Sequence, residues 1–180
     1  MSAIVEVEAK AVAAAARKAA EPGQYLTFVL GGEAYAIGIL AIKEIIEYHD
    51  LTEVPMMPPC VRGVINLRGA VVPVVDLQAR FGRRASEVTK RTCIVIVEVA
   101  TQDERQVIGV VVDAVSEVLE IEASAIEPAP SFGAGIRTDF IQGMGKVRGK
   151  FVILLNVDHV LDLEEVAGLQ RAVDAVAEAS

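Results

Sequence analysis

Tryptophan is missing from this chain, and the other aromatics, five Phe and three Tyr, make up only 4% of its 180 residues. The core must therefore be aliphatic, built from Val, Ile, Leu and Ala. So few rings also leave little to stack single-stranded bases on. Cysteine occurs only as Cys60 and Cys93, far apart and with no CxxC pair. That excludes a disulfide framework and a zinc site, and both read as reduced thiols of a cytoplasmic protein. His49 and His159 are the only histidines. Neither belongs to a ligand-spaced cluster, and both read as exposed loop or helix-start residues. No GxSxG, HExxH or Walker-type glycine loop is present, so the chain lacks the parts of a known catalytic site and implies no cofactor. No uncharged apolar run reaches the 18 residues a membrane helix needs. The N-terminal alanines lack the compact apolar segment of a secretion signal. Positive charge is scarce as well: 17 Lys and Arg stand against 25 Asp and Glu, a net −8. Residues 158–180 alone carry −5. Such a chain repels phosphate backbones overall.

What is present is β-branched. Residues 63–77, Gly-Val-Ile-Asn-Leu-Arg-Gly-Ala-Val-Val-Pro-Val-Val-Asp-Leu, read as two strands about a tight turn at Arg68-Gly69. Gly69 supplies a positive φ, and Arg68 is held at the tip. Pro73 donates no N–H, so the second strand needs an edge or a bulge there.

Upstream, residues 1–21 are alanine-rich with scattered charges and read as a mobile, helix-prone tail cut off by Pro22-Gly23. Strands at 25–30 and 33–39 flank a Gly31-Gly32 turn. Ile42, Ile45 and Ile46 lie three and four apart, the spacing of a short helical turn. Val115, Val118 and Leu119 repeat it. Pro55, Pro58 and Pro59 make 52–60 an extended loop. Residues 80–91 hold Arg80, Arg83, Arg84, Lys90 and Arg91, a basic loop that is either solvated or a contact for an acidic partner. Strands follow at 92–99 and 106–112, then a long loop containing Pro128-Ala-Pro130 and a lone Phe132. A second hairpin turns at Arg148-Gly149. Residues 158–178 read as an amphipathic helix, with Asp158 or Asp162 as its cap.

The chain also repeats itself. Residues 63–77 lie on 143–157 without a gap, matching Gly63 to Gly143, Arg68 to Arg148 and Asp76 to Asn156. Residues 42–47 lie on 115–120 in the same order, which points to duplication. Each half has about five short strands, enough to close a small barrel. The fold class is mainly β: two small five-stranded barrel subdomains on a shared aliphatic core, with short helices and a C-terminal helix.

The motif Asn66-Leu67-Arg68-Gly69 followed by Val-Val-Pro-Val-Val-Asp-Leu resembles the core motif of the CheW family of chemotaxis coupling proteins. The likeness covers roughly residues 22–165 and leaves the tail outside. It implies SH3-like barrels and a non-catalytic adaptor that couples the cytoplasmic tip of a chemoreceptor to the regulatory domain of a CheA-type histidine kinase. Other CheW-like subunits would share the array at the inner face of the membrane. It also implies a receptor-binding groove at Ile42, Glu44, Ile45, Gly63, Arg68 and Cys93, its apolar members burying against a receptor helix. Arg68 and Glu44 would pair. A kinase or coupling-protein interface is implied at Glu127, Ser131 and Phe132. On the residues alone, Arg68 is either a solvated turn residue or a recognition residue, and Phe132 either folds back on its own core or faces a partner. Gly38 stands where members often carry an acid, Cys93 where a branched aliphatic is common, and Glu127 where a base can occur. Alternatives are an adaptor of a different signalling array, for surface motility or development, and a small-barrel nucleic-acid binder or an unrecognised hydrolase.

Overall fold

The computed structural model describes residues 23–55, 60–81, 84, 87–100, 105–128 and 140–161. The expected tail at 1–21, Ser131, Phe132 and most of the expected helix at 158–178 lie outside them. The described residues form eleven strands: β1 Gln24–Leu30, β2 Glu33–Gly38, β3 Ile42–Glu47, β4 Val61–Leu67, β5 Ala70–Asp76, β6 Cys93–Ala100, β7 Arg105–Val112, β8 Ala114–Glu120, β9 Ile126–Glu127, β10 Ile141–Val147 and β11 Lys150–Leu155. Four-residue helices follow β5 (Leu77–Arg80) and β11 (Val157–Val160).

The strands form two sheets, ordered β8-β1-β2-β11-β10-β9 and β3-β6-β7-β5-β4. The chain is mainly β, in two SH3-like subdomains, but among the described residues the ladders are open, six-stranded and five-stranded. Each sheet has its own small core: Ile65, Val72, Val74, Ile94, Ile96 and Val111 in one, Tyr25, Ala36, Ile121, Val152 and Leu154 in the other. A third and larger cluster lies between the sheets, from Leu26 and Phe28 on one side to Val95 and Val110 on the other. Strands packed on both faces cannot alternate with polar residues, which is why β5 reads as continuous valine. The shared core is not purely aliphatic. Phe28, Tyr35, Phe81 and Phe140 form a row through it, with successive ring centroids 6.2, 5.9 and 6.0 Å apart.

The two apparent helical turns are strands. Ile42 to Glu47 is β3, paired to β6 with a register shift between Ile42 and Glu44. That bulge lets Ile42 and Ile45, three apart, pack on the same central cluster, while Ile46 faces the other core. Val115 and Val118 do the same in β8, where the ladder to β1 slips between Leu26 and Phe28. A bulge in each strand thus imitates the helical period. Ile39–Ala41, just before β3, is a single 3₁₀ turn, and Ala123–Ala125, after β8, is another.

The duplication is visible in three dimensions. The β4–β5 and β10–β11 hairpins share their register, each with a slip beside its glycine, at Val61/Gly63 and at Ile141/Gly143. Asp76 caps the helix Leu77–Arg80 by accepting from the Ala79 N–H at 3.2 Å. Asn156 caps the helix Val157–Val160 by accepting from the His159 N–H at 3.3 Å, and Asp158, one of the two expected caps, lies in its first turn; Asp162, the other, lies outside the described residues. Repeat one comprises β1 to β5 and repeat two β6 to β11, yet neither sheet is made from one repeat. The hairpin β1–β2 lies in the sheet of β8 to β11, and β6–β7 lies in the sheet of β3 to β5. Each joins its host on one side through a parallel pairing, β11 with β2 and β5 with β7, and on the other through an antiparallel one, β8 with β1 and β3 with β6.

Pro73 sits opposite Val64, whose N–H and C=O both bond to Thr52, so this pair exchanges no hydrogen bonds. The missing donor faces the side where the β7 ladder begins only at Val74. An interior strand thereby tolerates a proline.

Candidate functional site

Arg68 and Gly69 are both left-handed, at φ 52° and 87°. The tip is a mirror-image turn of the kind that matches strand twist. The Gly69 N–H donates to Asn66 Oδ1 at 3.0 Å, closing it. Glycine at position 68 would adopt this backbone at no cost. An L-residue gives up about 1–2 kcal/mol there, so arginine is there for its side chain. The guanidinium is a fork on Glu44: Nη1 donates to Oε2, and Nη2 to Oε1 at 3.0 Å. Glu44 is 13% exposed and Arg68 73%. The carboxylate is thus tucked against the sheet and the cation projects beyond it, fixed in direction but open to a partner.

The other expected groove residues fall into two kinds. Ile42 is half-buried at the same strand and can offer part of its surface. Ile45 is 6% exposed and Cys93 1%, both in the central cluster, so they shape the site from beneath. The Cys93 thiol donates to the Arg91 carbonyl at 3.4 Å. Gly63 is buried, at φ 153°, where a Cβ would stand 2.4 Å from the Thr52 carbonyl oxygen. It is a close approach of two backbones rather than a contact surface. Glu127 is exposed on β9, which pairs with β10.

Arg80 is not part of a solvated basic loop. Its Nε donates to the Val160 carbonyl at 2.7 Å, and its guanidinium lies 4.6 Å from the Phe140 ring centroid. It ties the two subdomains together. Arg84, Lys90 and Arg91 are exposed.

Sequence reasoning aligned Glu44 with Glu117 and Arg68 with Arg148 but gave a role only to the first of each. The structure repeats the pair. Arg148 has φ 51°, and its Nη1 lies 3.2 Å from Glu117 Oε1. Among the described residues three large apolar side chains also escaped notice, Leu40 at 63% exposure and Val88 and Phe151 at 51%. Leu40 borders a cleft of about 500 Å³ with Gln24, Glu98, Arg105, Asn156 and Asp158.

Cys60 is 8% exposed. Burial pushes its thiol pKa up, outweighing the opposing pull of Arg80. Its thiolate, the reactive form, is therefore suppressed in the fold. Alkylation by iodoacetamide at pH 8 is expected to be roughly tenfold or more slower for native protein than in urea, at Cys60 and Cys93 alike. Equal rates, read by mass spectrometry, would show that these thiols are not packed away.

Among the described residues no group of three His, Cys, Asp or Glu side chains is placed to hold a metal, and no helix is long and apolar enough to cross a membrane. The model of the CheW-like domain matches residues 24–165. The chemotaxis protein CheW of Klebsiella aerogenes is 35% identical over 144 residues, 80% of this chain and 84% of that one. The chemotaxis protein CheW of Rhizobium meliloti is 36% identical over 142 residues, 79% of this chain and 89% of the other. Among solved structures, the scaffolding protein TtCheW from Thermoanaerobacter tengcongensis matches with a TM-score of 0.71 at 34% identity, over 79% of this chain and 89% of that one. With the family model matching residues 24–165, curated members 35% and 36% identical over about four fifths of the chain, and a solved scaffolding protein matching at a TM-score of 0.71, this chain belongs to the CheW-like domain family.

Proposed function

We propose that this protein is a non-catalytic adaptor that couples chemoreceptors to a CheA-type histidine kinase at the inner face of the membrane. The observation that carries the reading is Arg68: a cation kept at a left-handed tip, aimed by a carboxylate that is itself mostly covered. Arginine so constrained loses little freedom on binding and offers a directional fork to a partner. The receptor's helical cytoplasmic tip would lie along Ile42 and Glu44 with Arg68 at its edge, in helix-in-groove fashion. The kinase's regulatory domain, or another CheW-like subunit, would meet the side of Glu127, Ser131 and Phe132. Names of relatives, chemotaxis protein and scaffolding protein, support this assignment.

The test is a titration against a receptor cytoplasmic fragment and, separately, a CheA regulatory domain, with Arg68→Ala and Arg68→Gly in parallel. Both variants should fold. The pair is open on its arginine side, where such pairs contribute about 0–1 kcal/mol, but the mostly covered Glu44 carboxylate loses its cation. Arg68→Ala should therefore melt a few degrees below wild type and Arg68→Gly less far below, because glycine relieves the backbone cost. Receptor affinity should fall at least about tenfold in both, the scale of a hot-spot arginine. Unchanged receptor affinity in a folded variant would overturn the reading, as would a wild type that binds neither partner.

A further inference from the structure

The second hairpin tip copies the geometry of the first and differs in what surrounds it. Both tips carry a left-handed Arg followed by a positive-φ Gly, Arg68-Gly69 and Arg148-Gly149. In both, the arginine pairs with a glutamate of a bulged strand, Glu44 of β3 or Glu117 of β8. Around the first tip the repeat places Asn66, Ala70 and Val71; around the second the matching positions are Lys146, Lys150 and Phe151. A neutral rim has become cationic, and a valine has become an exposed phenyl ring. This occurs in a chain whose net charge is −8.

The second tip also adjoins a groove of about 810 Å³ whose apolar lining includes Leu119, Met144, Val147, Phe151 and Ile153. Two carboxylates border it. Glu33 accepts from the Tyr35 hydroxyl at 2.9 Å, and Glu117 pairs with Arg148 at 3.2 Å. Arg148 and Lys150 stand exposed at its rim, and Lys146, also exposed, flanks the same tip on the side of a neighbouring cleft with Glu120 and Glu122. An apolar trough edged by cations complements an amphipathic helix with carboxylates beside its apolar stripe.

We propose that the Arg148 tip and this groove form a second docking site, for an acidic amphipathic helix of another polypeptide, which makes the adaptor bivalent for helical partners. The helical form of the occupant rests on the receptor reading of the Arg68 site. The existence of the site rests on the duplicated geometry and its altered rim.

The experiment follows backbone amide shifts of the full chain by NMR. The probe is a 21-residue helical peptide of Leu and Glu heptads, with a Lys-for-Glu counterpart as control. The Glu peptide should shift residues 116–119 and 146–153 and bind at least tenfold more tightly than the Lys peptide. Lys146→Glu with Lys150→Glu should cost tenfold or more. Arg148→Gly should weaken binding while melting no lower than wild type, since the left-handed backbone prefers glycine. The proposal is overturned by equal binding of the two peptides, by shifts confined to the Arg68 tip, or by none. It is also overturned if the groove proves already filled. A self-associated chain that Phe151→Ser makes monomeric would identify a second copy as occupant. Peptide binding that appears only after removal of residues 162–180 would identify the chain's own acidic end. Each of these failures leaves the Arg68 reading intact, because that reading is tested with a receptor fragment at the other tip.

Discussion

Gly63→Ala is expected to lower the melting temperature by roughly 10 °C, a large loss for the addition of one methyl group. The new Cβ would lie 2.4 Å from the Thr52 carbonyl oxygen and 3.0 Å from its carbon, both backbone atoms. Neither can swing aside as a side chain would. Position 63 also has φ 153°, a conformation that L-residues rarely adopt. Strain of that kind costs roughly 1–3 kcal/mol, and a forced backbone shift costs a similar amount again. For a chain of this size each kcal/mol is about 2–4 °C. What breaks first is the reciprocal pair between Thr52 and Val64, with bonds of 3.0 and 2.9 Å. Gly69→Ala is the control. It has φ 87° but nothing within 4 Å of a built Cβ, so it should cost only about 1 kcal/mol. Far-UV circular dichroism melts decide between them; a Gly63→Ala protein within 2 °C of wild type would show that the bulge has room to give.

Asp76→Ala should be comparably severe. The side chain is 0% exposed. It lies 3.5 Å from the Arg62 guanidinium, which also sits 5.9 Å from the Tyr48 ring centroid, and it caps the helix Leu77–Arg80. Breaking a buried ion pair from one side costs roughly 3–5 kcal/mol, because the remaining charge loses its partner. The lost cap contributes about 1 kcal/mol of its own. The second repeat supplies a natural control. There the cap is Asn156, and the residue aligned with Arg62 is Gln142. Asp76→Asn should therefore keep the cap and destabilise less than Asp76→Ala. Arg62→Gln with Asp76→Asn, which places the neutral residues of the other repeat at both positions, should be more stable than the sum of the single changes implies. Strict additivity in denaturant titrations would mean that the two side chains are not coupled.

The hairpins were legible in the sequence because turn chemistry is local: Gly31-Gly32, Arg68-Gly69 and Arg148-Gly149 each lie between their strands. The duplication was legible because the two tips share residues at fixed spacing. What misled the reading at Ile42–Ile46 and Val115–Leu119 was a bulge in each strand, which no local residue announces. The exchange of hairpins between repeats was invisible for another reason. Parallel pairing of β2 with β11 and of β7 with β5 joins segments far apart in the chain, and such pairs leave no short-range signature. Of the expected groove, the pairing of Arg68 with Glu44 followed from the family resemblance rather than from the residues alone, and the structure forms that pair. The burial of Ile45 and Cys93 was not legible, since the shared core that covers them exists only once both sheets are assembled. The aromatic row is a similar case: four rings scattered through a sequence poor in aromatics meet in one place.

The exchanged hairpins bear on how such a molecule can be made at all. A single repeat, isolated, holds a hairpin whose host sheet belongs to the other repeat, and a sheet lacking the hairpin it needs. It could complete itself only by trading arms with a second copy, as an obligate intertwined dimer. Joining the copies in one polypeptide replaces a concentration-dependent encounter with one whose effective concentration the linker sets. Severing the chain between β5 and β6 should return it to that older condition: two fragments, each unable to close its sheet, that regain the fold only when mixed.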